Sequence, residues 1–455
     1  MDTNQLTLAL QSQVPGLEVL NKHDQALDTR CSYYNRSLNQ QPLAVVRPTN
    51  QDQVSKTISF CNNKIIAIAV RSGGHDFFGR SVVDDGIVMD MRGINSVEIA
   101  DDGETARVGG GIISGDLQQF LARYKLFTPT GQVKTVGYVS WACGGGYGFY
   151  VGTYGFGVDQ IVGAKVATSD GQIIDTDHDD ELLWALRGAG AGIVGVVVEL
   201  RIKVYPAPRL YAGLLTYPLS EAAAVLDGLE QLAGQDGLPD AFSGDAIIAR
   251  PEMLQLPSSV PSLIFYWCWT AIEGGLTEAV SFLDKMRHLG SVQIDTVQET
   301  AAAEFGGGES STPVFFRSCN VSVLGADVAR VLAASPPIHP LCAVVVHNNH
   351  GQGVRRGFDD GIGAVFCNRR RHIILGLHGG TAMGAGPDRG MLAESTAWVR
   401  GLLVHLSKLE CHRREGFPAF SPPDDVHPAD FFGVEAAQRL FQVKKRLDPG
   451  NFFSK

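Results

Sequence analysis

The chain has 455 residues, 44% of them hydrophobic and 19% charged, with 53 glycines and a formal net charge of −10. That length exceeds what one core serves, so two domains are expected. The acid excess argues against a nucleic-acid partner, no apolar run approaches the about 18 residues of a membrane span, and eight cysteines without a CxxC pair offer neither a zinc ribbon nor a redox dithiol.

In chain order, residues 1–41 are polar and read as a helix and a connecting arm. The opening MDTNQLTLALQSQVPG has no basic n-region and no long apolar stretch, so a cytoplasmic protein is expected. Leu43–Val46 reads as a strand. Thr49-Asn50-Gln51-Asp52 resembles a capping box before a helix with Val54, Ile58 and Cys61 on one face. The apolar run Ile65–Val70 predicts a buried strand that ends at Arg71-Ser72-Gly73-Gly74-His75. Paired glycines permit close backbone approach, and with Arg71 beside them they suit a pyrophosphate; a plain turn with a surface histidine is the alternative.

Gly86–Met91 is another apolar run. Ser96–Ala100 and Glu104–Val108 flank Asp101-Asp102-Gly103, a hairpin signal, and Val162–Thr168 and Gln172–Asp175 flank Ser169-Asp170-Gly171 likewise. Ser114 is placed to cap a helix bearing Leu117, Phe120 and Leu121. Three further glycine clusters stand at 109–111, 144–148 and 188–192. Such repeated close approaches suit a long phosphate-bearing cofactor better than a single nucleotide turn.

Tyr205-Pro206-Ala207-Pro208 marks a boundary. Beyond it, strands are predicted at Leu210–Tyr217, Ile247–Arg250, Ser262–Trp269, Ala343–His347 and Ile373–His378. Helices are predicted from Ser220, around Glu278–Arg287, over Leu392–Leu406 and over Val434–Arg446; Glu304–Thr312 and Gly351–Gly363 read as loops. Alternation on the third of these strands lets Trp267 share a face with Trp269, and Tyr266 with Cys268.

Gly190-Ala191-Gly192-Ile193-Val194-Gly195 matches the dinucleotide fingerprint literally, but it follows a helix and precedes a strand, the reverse of the order that aims a helix at pyrophosphate. It reads as a decoy for NAD. Walker A, HExxH and GxSxG are absent. No metal site is expected, and His347 and His350 read as surface histidines of a loop. His378, at a strand end beside glycines, and Tyr266 are the acid–base candidates.

RSGGHDFFG, ARVGGGIISGDL, TVGYVSWACGGGYGFYVGTYGFGVDQIVGA, LLWALRGAGAGIVGVVVELRI and FFGVEAAQRLFQVKKRLDPGNFF resemble, in order, the berberine bridge enzyme-like branch of the vanillyl-alcohol oxidase superfamily. The resemblance is continuous from about Pro42 to Pro208, returns at Phe431–Phe453 and is faint between. It implies an α+β fold: a two-lobed p-cresol-methylhydroxylase-type FAD domain from residues 1–208 and 418–455, and a central α+β substrate domain, 209–417, with a large antiparallel sheet. It implies FAD held covalently through His75. Contacts to FAD would come from Arg71, Ser72, Gly73, Gly74, Gly109, Gly110, Gly111, Gly115, Asp116, Gly137, Gly144, Gly145, Gly146, Gly148, Asp159, Gly190, Gly192, Gly195 and Asn451.

The resemblance also implies an oxidase that removes hydride from a carbon bearing N or O of a small molecule and gives H2O2 with O2, in secondary metabolism. The alternatives are a dehydrogenase with another acceptor and a non-redox cyclase or isomerase that retains FAD. Val136 falls where the family places a residue guarding oxygen access. Val133 stands where many members carry a second, cysteine tether, and Cys143 is not its substitute. Ile193-Val194 replaces the usual Asn-Phe, and a Tyr and an Asn often found near Phe417–Phe420 are missing.

Overall fold

The computed structural model describes residues 3–21, 24, 33–190, 192–233, 237–272, 275–307, 311–383, 387–425 and 427–453. Parts of the N-terminal arm, Ala191 of the fingerprint and part of the 304–312 loop lie outside the described residues. Among the described residues no helix is long and apolar enough to cross a membrane.

Asn50 caps the helix Gln51–Lys64 by accepting the Gln53 N–H, and Gln53 accepts the Thr49 N–H in return. Ile65 then closes the helix at φ 56° and is almost fully exposed. The predicted strand therefore starts later, at Ile68–Arg71, because Ile65 and Ile66 donate to the last turn of the helix. That strand and Ala44–Arg47 both run parallel to Ile87–Asp90; Glu18–Asn21 adds an antiparallel edge.

Both predicted hairpins form inside a five-stranded antiparallel sheet: Val97–Ile99 with Thr105–Gly109, and Ile161–Ala167 with Ile173–Asp175. Val196–Lys203 lies between the two hairpins. Ser114 is not the cap of the helix Ser114–Ala122; Ile113 precedes it without a side-chain bond, and Ser114 Oγ bonds the Val136 carbonyl.

Among the described residues the largest sheet has nine strands, all between Arg209 and Arg413. Its centre runs Arg209–Pro218, Ser262–Ala271, Ala246–Ala249, Cys342–Asn349, His372–Gly380 and Val314–Val321. The last of these, like the helix Ala326–Ala334, gave no sequence signal, since Arg317, Ser318 and Asn320 interrupt its apolar pattern. Leu215, Trp267, Trp269, Val344, Val346, Leu375 and Leu377 pack with the helices Ala222–Ala233, Leu276–Arg287, Ala326–Ala334 and Arg389–Leu406. With a period of two, the opposite face carries Tyr266, Phe316, His347 and His378. The helix Val434–Leu447 sends Leu440, Val443 and Leu447 into the core built by Val108, Leu121, Leu182 and Leu200.

Candidate active site

Arg71 ends its strand directly beside Asp90. Asp90 is fully buried and takes Arg47, Arg71 and Arg92 at 2.7, 3.2 and 2.9 Å. Burial pushes its carboxyl up, but the Arg92 hydrogen bond and the neighbouring guanidinium charges outweigh that and hold it below the usual range. The Arg71 side chain is 1% exposed, pairs with Asp90 at 3.2 Å and lies against Gly74 of the turn.

The turn that follows is pressed against a second loop. A Cβ on Gly73 would stand 2.4 Å from both Gly137 N and Thr135 O, and one on Gly137 would strike Ser72 Oγ. Only glycine permits that approach. His75 Nε2 meets Thr135 Oγ1 at 2.9 Å, and its ring stacks on Tyr34 at 5.1 Å. Burial, with the Arg71 charge second, pushes the imidazole down to about 4, so the ring is neutral near pH 7. His75 is thus half-buried in a packed turn, not a surface histidine.

Of the glycines expected at the cofactor, Gly109, Gly110 and Gly111 donate their N–H groups to Ser96, Val198 and Ile94, and their Cβ directions are filled by backbone. They are glycines because strands converge there. Gly115 donates to Lys134 O, Asp116 is exposed, and Asp159 is spent on the Phe156 N–H and two bonds to Arg369. Gly144 sits near Ser140 O; Gly145, Gly146 and Gly148 pack on Phe417, Gly157 and Thr130; Gly195 packs on Ala167. Asn451 is exposed at φ 52°. By contrast, Gly190, at φ 97°, and Gly192 face open space. The stretch carrying them does run from the helix Asp180–Leu186 to the strand Val196–Lys203, so it lacks the dinucleotide geometry.

The strand Cys342–Asn349 carries His347, buried rather than on a surface loop, and His350, buried at the start of the short helix Gly351–Arg355. His347 Nδ1 lies 3.7 Å from Asp245 Oδ2 and 3.5 Å from Gln132 Nε2, and Gln132 hydrogen-bonds Asp245. Asp245 Oδ1 also accepts the Asn348 N–H at 2.9 Å. Tyr147 packs on His347 at 4.2 Å; burial first, then the Asp245 charge, pushes its phenol well above the usual value. Sequence reasoning missed Gln132, Thr135, Tyr147 and Asp245. The available signals were the position of Asp245 between a glycine and an apolar strand, and that of Gln132 beside the vacant cysteine position.

His378 wedges against Phe316 at 4.9 Å and Phe77 at 5.3 Å. Burial, and then the His347 charge, pushes it down to about 3; Tyr266 is pushed up to about 12, by burial first and Tyr34 second. His378, Tyr147 and Tyr266 nevertheless keep accessible surface.

Ser72 Oγ is buried and has no hydrogen-bond partner among the described residues, and Gly190 and Gly192 leave open room. An unpaired hydroxyl in a glycine turn and open glycine faces suit a cofactor's phosphate-bearing part.

Residues 42–177 match the family model of an FAD-binding domain. The FAD-linked oxidoreductase aurO of Gibberella zeae is 32% identical over 461 residues, covering 99% of this chain and 87% of that protein. This chain belongs to the berberine bridge enzyme-like FAD-linked oxidoreductases. The crystal structure of 6-hydroxy-D-nicotine oxidase from Arthrobacter nicotinovorans superposes with a TM-score of 0.80 at 25% identity, over 96% of each chain. Berberine bridge enzyme from Eschscholzia californica superposes with a TM-score of 0.82 at 18% identity, over 98% of this chain and 97% of that one, a likeness of fold. The p-cresol-methylhydroxylase-type architecture and the cofactor FAD follow for this family member.

Proposed function

We propose that this berberine bridge enzyme-like protein is an oxidase that takes hydride from a C–H next to N or O of a small molecule and passes the electrons to O2, giving H2O2. The reading rests on a continuous run of ring contacts from His75 through Tyr34, Phe77 and Phe420 to His347. It joins the cofactor turn to the buried Asp245–His347 pair. FAD, when bound, supplies the two-electron acceptor. The chain supplies everything else.

Ser72, Gly73, Gly74, Gly190 and Gly192 would hold the nucleotide. His75, neutral near pH 7, stands at the position where the family attaches FAD covalently. His347 takes the substrate proton, and Asp245, 3.7 Å from its Nδ1, orients the ring. We assign this role to His347 rather than to His378 or Tyr266. A group pushed down to about 3 is too weak a base to draw off a substrate proton, and a phenol pushed up to about 12 keeps its own proton and so has no site to accept one. Tyr266 is left as a hydrogen-bond donor. Aromatic walls exclude bulk water from the reacting carbon.

Amines, alcohols and polyketide-like phenols, screened for bleaching of the bound flavin, identify the substrate. Peroxide under air and a product two mass units lighter are expected. A flavin that stays reduced in air makes the protein a dehydrogenase, and a product of unchanged mass makes it a cyclase or isomerase.

A further inference from the structure

The glycines that leave room for a nucleotide do not fix their own backbone. Gly188 and Gly190 stand at φ 132° and 97°, and a Cβ on Gly190 or Gly192 would meet no atom within 4 Å. Such a stretch has many conformations open to it, so its shape must be held from outside. It is anchored on both sides. The Gly190 N–H donates to the Cys143 carbonyl at 2.9 Å. The Ile193 carbonyl accepts Lys444 Nζ at 2.8 Å, from a helix 251 residues further along the chain.

Lys444 is itself built into place. Its other two ammonium protons go to Asp448 Oδ2 at 2.6 Å and to the Phe453 carbonyl at 2.7 Å. The Asp448 side chain is fully buried and also takes the Phe452 and Phe453 N–H groups, at 2.8 Å each. Phe453 shares a core with Ile68, of the strand that leads into the cofactor turn, and with Val196 and Val198. One ammonium thus joins the nucleotide stretch, the helix Val434–Leu447 and the segment after it.

We propose that Lys444 is a positioning residue for FAD. Through the Ile193 carbonyl it sets Gly190 and Gly192 where the phosphate-bearing part of the cofactor lies. All three of its protons are spent on the protein, so it acts through the backbone rather than by contact. The inference rests on the placement of the nucleotide at Gly190 and Gly192 in the reading above, and names what holds that placement.

Flavin per chain, read from the absorbance of the purified full chain, tests it alongside thermal melts. Lys444→Met should lose about half of its flavin or more. Asp448→Asn weakens the same clasp but leaves Lys444 on the Ile193 carbonyl. It should melt as early as Lys444→Met and yet keep its flavin near the wild-type level. Should Lys444→Met fail to fold, Lys444→Gln is read in its place with the same expected loss. Full flavin in the Lys444 variant overturns the proposal, and so does a flavin loss that follows the melting temperature across the two variants. Gly192→Val tests the placement itself, since filling that open room should expel flavin. If Gly192→Val keeps its flavin, the nucleotide lies elsewhere and the proposal falls with that placement. If it loses flavin while the Lys444 variant does not, the placement stands and Lys444 alone loses its role.

Discussion

His75 Nε2 and Thr135 Oγ1, sixty residues apart in the chain, meet at 2.9 Å. The contact ties the cofactor turn to the loop that also carries Gln132, Val136 and Gly137. One short bond thus sets the imidazole relative to the Gln132–Asp245–His347 network.

If the flavin is bound through His75, its colour should stay with acid-precipitated protein. His75→Ala should release it fully. Thr135→Val should lower the bound share by loosening the ring, and Thr135→Ser should restore it. Cys143→Ser should change nothing, since burial pushes that thiol up to about 12. Absorbance of pellet and supernatant decides; an unaltered His75→Ala pellet places the link elsewhere.

Acid should destabilise the fold in a predictable window. His75 and His350 are pushed down to about 4 and His378 to about 3, burial being the leading cause for each, against an ordinary value of 6.5. Between those values the unfolded chain binds more protons, so stability falls as pH drops from about 6.5 towards 4 and below. The slope is at most about 1.4 kcal/mol per pH unit for each group. His378→Asn should flatten that slope in thermal melts; an unchanged slope would show that His378 titrates normally.

Asp245→Asn removes the carboxylate charge 3.7 Å from His347 Nδ1. Flavin reduction by a substrate found in the bleaching screen should slow about 100-fold with little change in KM. Rapid-mixing kinetics under nitrogen give both numbers. A wild-type reduction rate would take the proton-accepting role away from this pair.

Val136 is half-buried beside Gly73, its carbonyl held by both Ser114 N and Oγ, so its position is fixed. Val136→Leu adds one methylene at about 1–3 kcal/mol or less. Reoxidation of the reduced enzyme in aerated buffer should slow while substrate reduction does not. Equal reoxidation rates would remove Val136 as the oxygen gate.

Arg80→Met should cost about 1–3 kcal/mol, since it leaves the Pro418 and Ser421 carbonyls without their charged donor. Denaturant melts measure that loss. Limited proteolysis should cut first near residues 416–421; an unchanged pattern would mean that this stretch is anchored without Arg80.

Local rules determined what the sequence could reveal alone. Asn50 had to cap, Asp101-Asp102-Gly103 and Ser169-Asp170-Gly171 had to turn, and period two put Trp267 and Trp269 on one face with Tyr266 on the other. Each of these depends on neighbours within a few residues. The glycines of the Ser72–Gly74 turn were legible because their backbone demands are local as well. What each glycine faces is not local: Gly109–Gly111 meet protein backbone and Gly190 meets open space, and nothing in the spelling separates them. Likewise the ion pair of Arg71 with Asp90 depends on the adjacent parallel strand. The pair Asp245 and His347 comes together only because Ala246–Ala249 lies beside Cys342–Asn349 in the sheet, about a hundred residues apart in the chain. Pairing of distant strands follows from burying a whole apolar face at once, so the acid–base pair could be read only from the folded chain.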